Sequence, residues 1–352
     1  MKNYIKTFNS FLLHLLVPSL FVFLSIFTFI MSYFGYEYDR DISYSKVLLI
    51  FLILFALLFF SIDKFYGKTI LLDKTIILKS TIWKFVGLFI LFINIAEFLL
   101  FGVPLLSLLG IGKFVIYAKY GLPLFHHIAV SSWLLLFIKY KNKSIEFLMH
   151  LFALLNPFLI VNRDLILLTY FTLFIKILLN NRKSRIPLFI VIVMVIAFCQ
   201  MGMLRSGNAL SITPLPIKSS FIKENYIIQW FYVYLTSSWY NFFNNIYSHQ
   251  FSLRFVNINV FPESFFLYAK YDILGFIIFF CISYIFIILF SKLKNKEKEL
   301  QIFYYYILYQ SLMTIFSKKL YTTDTIYQIM VFAIVLFIEK NGKLFIRRIE
   351  TK

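Results

Sequence analysis

The sequence predicts an all-α polytopic membrane protein, a single integral-membrane domain over residues 1–352 with about ten transmembrane helices, and three observations predict it. Hydrophobic residues make up 61% of the chain and charged residues only 14%, with a mean hydropathy of +0.82. These values repeat along the whole length, as in a multispanning protein and unlike a soluble domain. The basic excess, a formal +19, is gathered in short clusters between apolar runs, where orientation in a bilayer places Lys and Arg. That distribution argues against nucleic-acid binding. Cys199 and Cys281 both fall inside apolar runs, so there is neither a disulfide framework nor a metal-ligand cluster.

The spans follow in order. Phe11–Ile30, preceded by Lys2 and Lys6, has no small-residue cleavage site behind it and reads as a retained anchor. Val47–Ile62 is the second span, followed by a basic connection carrying Lys64, Lys68, Lys74, Lys79 and Lys84. Phe85–Phe101 is the third. Leu122–Ile138 is the fourth and opens on His126-His127. Ile145–Val161 and Leu165–Leu179 are short spans parted by Asn162-Arg163-Asp164, and Pro187–Leu204 is the seventh. Tyr271–Phe290, Gln301–Phe316 and Ile326–Ile338 complete the set.

Between the seventh and eighth spans lies one large loop, residues 205–270. It is far longer than an ordinary connection, and such loops usually carry function. With a cytoplasmic N-terminus, the strongly basic short loops and the basic tail all fall on one side. Both termini are then cytoplasmic and the large loop is extracytoplasmic. Ile227–Ser248 is long enough to be an extra span, but Gln229, Thr236, Ser237, Ser238, Asn241, Asn244 and Asn245 interrupt it. Counting it would also put Lys292–Lys298 outside. It is therefore expected to lie as a helix in the membrane interface.

With this topology three polar clusters meet the extracytoplasmic face: Asn162-Arg163-Asp164, His126-His127 and the loop that begins at Arg205. Ionisable groups near membrane depth are costly and are functional candidates by default. The plainer alternative is that Arg163 and Asp164 pair and cap the following helix. Arg205, followed by Ser206-Gly207-Asn208, offers a planar fork and backbone donors suited to a phosphate; otherwise it is an interfacial anchor. Glu97 and Asn94, three residues apart on one helix face, are expected to line a cavity or, as favoured here, to satisfy an arginine from a neighbouring helix.

Three stretches now occur in a set order: Asn162-Arg163-Asp164-Leu165-Ile166-Leu167-Leu168 after a span, Leu204-Arg205-Ser206-Gly207-Asn208 at the mouth of the loop, and Tyr234-Leu235-Thr236-Ser237-Ser238 running to Asn241. Together with the span layout they resemble the Wzy-type O-antigen polymerases, the oligosaccharide repeat unit polymerases of the bacterial inner membrane. That resemblance implies polymerisation of lipid-linked repeat units on the periplasmic face. The growing glycan leaves undecaprenyl pyrophosphate and joins a sugar hydroxyl of a new unit.

No soluble cofactor motif appears in the sequence, so no cofactor is expected. The resemblance implies undecaprenyl-pyrophosphate-linked oligosaccharides and membrane lipids as partners, with a chain-length regulator and a flippase acting alongside. Charge on the leaving diphosphate needs cationic forks, expected at Arg205 and Arg163 with Arg254 as a third. The base that takes the acceptor proton is expected among His249, His126 and His127, with Asp164 and Glu263 as acidic alternatives. Asn162, Ser206, Asn208 and Asn241 are expected to bind substrate, and Tyr234, Trp239 and Tyr240 to stack on sugar faces.

Rival readings are an O-antigen ligase, a polyprenyl-phosphate-sugar glycosyltransferase using Glu37, Asp39 and Asp41, and a flippase or transporter. A transporter is expected to show internal repeats and broken spans, and the sequence has no convincing repeat.

Overall fold

The computed structural model describes residues 18–38, 41–66, 82–115, 120–137, 142–180, 185–206, 216–246, 262–293, 306, 309–316, 322, 325–331, 333, 334 and 337. In chain order the named elements are α1 (Pro18–Gly35), α2 (Ser45–Tyr66), α3 (Ile82–Phe101), α4 (Pro104–Leu108), α5 (Phe125–Ser131), a 3₁₀ turn (Trp133–Phe137), α6 (Lys143–Leu159), α7 (Arg163–Asn180), α8 (Ile186–Ser206), α9 (Ser220–Glu224), α10 (Tyr226–Asn244) and α11 (Glu263–Leu293). Strand geometry among the described residues is limited to an isolated antiparallel bridge between Tyr36 and Ile217. Among the described residues, three helical stretches are long and apolar enough to cross a membrane: Phe85–Leu108, Ile186–Leu204 and Glu263–Ile285. Phe21–Gly35 and Ser45–Leu58 are apolar but shorter.

The chain forms two compact units. The first comprises residues 1–73, 174–296 and 307–320; the second comprises 74–173, 297–306 and 321–352.

In the first unit α10 is the core. From Thr236 to Phe243 every residue is buried, as are Trp230, Tyr232 and Val233. A helix lying in an interface keeps one face open, and α10 keeps none over this stretch. The expectation of an interfacial helix is therefore corrected. Serine, threonine and asparagine are tolerated here because they turn toward protein: Ser238 Oγ donates to the carbonyl of Ile315 at 2.9 Å, and the Thr236 hydroxyl lies 2.8 Å from that of Tyr36. Trp239 Nε1 donates to Thr28 Oγ1 at 3.0 Å, and the Tyr232 hydroxyl donates to the carbonyl of Met31 at 2.8 Å, so α1 is bonded to α10 along its length. Phe29 meets Trp239 and Phe243 edge-on, with centroids 5.0 and 4.9 Å apart, a favoured arrangement of ring quadrupoles. Burial in this polar-aromatic seam pushes the Tyr232 phenol up to about 12.

The region expected to be one large loop thus holds α9, α10 and the start of α11. The expected eighth span, Tyr271–Phe290, belongs to a helix that begins earlier and is interrupted. Asp272 has φ 53° and ψ −141°, outside helical space. Three residues on, Gly275 lies so close to the preceding segment that an added Cβ would stand 2.0 Å from the carbonyl oxygen of Leu267. Backbone cannot yield as a flexible side chain does. Gly275→Ala is accordingly expected to destabilise by more than the roughly 1 kcal/mol of an ordinary glycine effect. A lowered melting temperature of purified protein, set against Ala substitution at exposed Leu274, checks this.

The second unit is built on α3, α6 and the start of α7. Here the expected fourth span is not one helix. α5 has 7 residues, about 10 Å of helix, and passes into the 3₁₀ turn, in which Trp133, Leu135, Leu136 and Phe137 are buried. A 3₁₀ run advances faster per residue but bonds less well, so it stays short and needs packing. Trp133 supplies it by contact with Phe152 and an Nε1 bond of 3.0 Å to Thr169 Oγ1.

Candidate functional site: a carboxylate-held histidine

The site grows from the outer half of α3. Apolar residues make this helix, and Asn94 and Glu97, at i and i+3, put two polar groups on one face of it. Both are buried, Glu97 with 0% exposure. Asn94 Nδ2 donates to the carbonyl of Ile90, and its Oδ1 accepts from Asn156 Nδ2 on α6 at 2.8 Å. Glu97 Oε1 accepts the backbone N–H of Leu122 at 3.0 Å, and the carboxylate holds His126 Nδ1 at 3.0 and 3.1 Å. The partner of Glu97 is this histidine, correcting the expectation of an arginine.

Local backbone makes the pairing reachable. Gly121 has φ +105°, and an added Cβ would stand 2.7 Å from His126 Cγ. Leu124, the residue before α5, has φ 65°, an uncommon conformation for a side chain of its size. The chain is thereby turned so that Leu122 N–H and His126 meet the same carboxylate. Strained backbone of this kind is held only where its surroundings over-determine it.

His126 is 22% exposed in its side chain. With Nδ1 on the carboxylate, Nε2 has no hydrogen-bond partner among the described residues. Tyr120 stands edge-on to the ring, centroids 5.9 Å apart at 87°. Its hydroxyl is buried without a hydrogen-bond partner among the described residues. Burial first, and the Glu97 charge second, hold its phenol well above the usual range, so it stays protonated. His127, exposed, stacks on Tyr327 with centroids 6.3 Å apart at 29°.

The turn Val161–Asp164 lies at the same end of this unit. Trp133 meets Phe152 and Phe137 meets His150, so α6 runs against the α5–3₁₀ segment, while Asn156 meets Asn94. Asn156, near the end of α6, thus meets α3 one turn before Glu97. Val161 is buried at φ 52°, an outlier for a β-branched residue. Asn162 Oδ1 accepts from Leu165 N at 3.1 Å and is the cap of α7. Arg163 and Asp164 are half-buried in the first turn, where the helix dipole favours the aspartate. Along their lengths α3 and α6 form an apolar groove of about 570 Å³, lined by Leu88, Leu91, Ile95, Leu148, Phe152 and Leu155 among others, with Asn156 as its polar member.

The remaining expected site residues fall elsewhere. Arg205 and Ser206 occupy the last turn of α8 in the first unit, with side chains outside the described residues. Asn208, His249, Arg254 and Asp39 lie outside the described residues altogether. Trp239 is 1% exposed and spent on Thr28, Phe29 and Phe243; Tyr240 and Asn241 are equally enclosed. Trp239 and Tyr240 thus present no open face for a sugar ring, and Asn241 is enclosed with them. Tyr234 is half-buried against Phe198 and Trp230. Asp41 accepts from the backbone N–H and hydroxyl of Ser43 at 2.8 and 3.0 Å, a turn cap, and Glu263 is buried at the start of α11.

No family model, curated protein or solved structure matches this chain.

The pairing of Glu97 with His126 was not legible as such. The Asn94/Glu97 spacing flagged the helix face, and His126-His127 flagged the helix mouth. What joins them is the path of Gly121 to Leu124.

Proposed function

We propose that this chain is an integral-membrane glycosyltransferase that polymerises lipid-linked oligosaccharide repeat units, with His126 as the base. The single observation that carries the reading is the buried Glu97 carboxylate holding one nitrogen of a partly exposed imidazole whose other nitrogen has no hydrogen-bond partner among the described residues. In this reading the acceptor hydroxyl oxygen bonds to the anomeric carbon of the donor glycan, and the bond from that carbon to the diphosphate oxygen breaks. The electron pair leaves with the polyprenyl diphosphate, and the acceptor proton passes to His126 Nε2. Glu97 fixes the tautomer and stabilises the imidazolium that forms, as carboxylates do beside catalytic histidines.

Arg163, at the same end of the second unit, is the expected fork for the leaving diphosphate. The groove along α3 and α6 supports a substrate with a hydrocarbon tail. The orientation proposed from the Lys/Arg bias puts this end on the periplasmic side of a bacterial inner membrane, with about ten spans and both termini cytoplasmic.

A second reading, a proton-coupled flippase, draws on the same pair, because carboxylate–histidine pairs in membrane helices also relay protons. The lipopolysaccharide gel pattern of a deletion strain separates the two. Loss of the polymerase leaves one repeat unit on the core, whereas loss of a flippase or ligase leaves none. Full-length ladders would sink every one of these readings. Arg163→Ala and, separately, Arg205→Ala are expected to collapse the ladder to the single-unit band while the protein still inserts. Normal ladders from both would remove the arginines from the mechanism.

A further inference from the structure

We infer that the groove along α3 and α6 seats one acyl chain of an anionic glycerophospholipid whose phosphate meets Lys143. The inference needs the chain to lie in a bilayer and does not depend on the polymerase reading. The wall of the groove is hydrocarbon, with Leu88 and Ile95 supplied by α3 and Leu148 and Leu155 by α6. Its polar member, Asn156, is 0% exposed and turns its amide nitrogen to Asn94, so it presents almost no surface. Leu88, Leu148 and Leu155 are 51%, 60% and 53% exposed. A wall so apolar and so open would take any hydrocarbon tail, that of a lipid-linked substrate included; length and charge select among them.

The dimensions suit a single chain. On α3 the lining runs from Leu88 to Phe98 and on α6 from Ile145 to Leu159, about 15 and about 21 Å of helix. That is close to the depth of one leaflet, half of a hydrocarbon core about 30 Å thick. About 570 Å³ over such a length leaves roughly 25–40 Å² of section. One extended hydrocarbon chain fits that section, whereas a second helix, about 10 Å across, is too wide. A polyprenyl tail outruns one leaflet, and its diphosphate is expected at Arg163, beyond the opposite end of α6 from Lys143.

Charge selects the headgroup. α6 begins at Lys143, which is exposed and stands two residues before Ile145 of the lining. A lysine so placed lays its stem along apolar surface and carries its ammonium out to the level of lipid phosphates. It closes the sequence Lys139-Tyr140-Lys141-Asn142-Lys143, and Glu146 offsets only one of those three positive charges. An acyl chain gains little by leaving other lipid for a helix face of the same polarity. Selectivity therefore comes from the headgroup, and basic residues at the membrane surface favour anionic lipid. The bound chain covers the seam where Asn94 and Asn156 pair, one turn from Glu97.

The test is native mass spectrometry of delipidated full-length protein in detergent, titrated with dioleoyl phosphatidylglycerol or dioleoyl phosphatidylcholine, which differ only in headgroup. Phosphatidylglycerol is expected to bind more tightly than phosphatidylcholine by about five-fold or more, the effect of about one surface lysine. Its binding is expected to fall by about as much in Lys143→Glu, which reverses the charge, and in Leu148→Trp, which fills the groove. Both side chains are exposed, so both variants should melt like wild type without lipid. Equal binding of the two lipids overturns the inference, and so does a loss in neither or only one of the variants. Displacement of phosphatidylglycerol by equimolar undecaprenyl phosphate overturns it by giving the groove to the substrate tail. A dimer that Leu148→Trp dissociates overturns it by giving the groove to a second copy. The polymerase reading fails by a different result, the full-length ladder of the deletion strain, so the two failures are separable.

Discussion

His126→Ala is expected to slow chain extension by about 10²- to 10⁴-fold, the usual contribution of a general base, and also to lower stability, because the buried Glu97 carboxylate is left with the Leu122 N–H as its remaining donor among the described residues. Extension is therefore scored per folded, inserted protein. The companion variant is Glu97→Gln. The carboxylate accepts from two donors, Leu122 N–H and His126 Nδ1–H. Both bonds reach Oε1, with Nδ1 also 3.1 Å from Oε2, so the outcome depends on which of the two positions the amide oxygen takes.

If the amide donates to Nδ1, the ring proton moves to Nε2 and the lone pair that takes the acceptor proton is gone. If the oxygen keeps the Oε1 position, both bonds survive but the negative charge that would stabilise the imidazolium is gone. Either way a comparable loss of extension is expected from a change of one atom. Extension is measured in nanodiscs with lipid-linked repeat units, scoring product length against time. Wild-type extension in His126→Ala would falsify its assignment as the base. Wild-type extension in Glu97→Gln would show that the tautomer is set by something else.

Trp239→Ala should cost about 3–5 kcal/mol, as for a large aromatic removed from a packed core. The indole contacts Phe29, Phe242, Phe243 and Phe276 and bonds Thr28 across to α1. Thr28 Oγ1 also donates to the carbonyl of Leu24 at 2.8 Å, so losing the indole N–H removes one bond without stranding the hydroxyl. Most of the cost is therefore cavity. Trp239→Phe, which refills part of the space, should recover over half of the loss. Thermal unfolding in detergent reads both. A tryptophan that served as a sugar platform would behave in the opposite way, with stability kept in Trp239→Phe and activity lost.

The sequence alone determined that this chain is helical and apolar enough for a membrane. The apolar runs are long, and α2, α3, α6, α7 and α8 begin and end within a few residues of the expected spans. Those boundaries were legible because hydropathy and basic punctuation are local properties. The start of α7 was legible near Arg163 and Asp164, though the cap itself falls to Asn162.

What only the tertiary structure decided was where the polar residues of α10 turn and which residue answers Glu97. A serine or asparagine in a helix has the same spacing whether it meets water, lipid headgroups or another helix. The bonds to Thr28, Met31, Tyr36 and Ile315 come from segments remote in sequence, and they turn a supposed interfacial helix into a core. Likewise the break at Asp272 and the turn at Gly121 depend on neighbours that no periodicity encodes. Glu97 and His126 are 29 residues apart. Only the folded path of the chain brings the buried carboxylate to the imidazole that pairs with it.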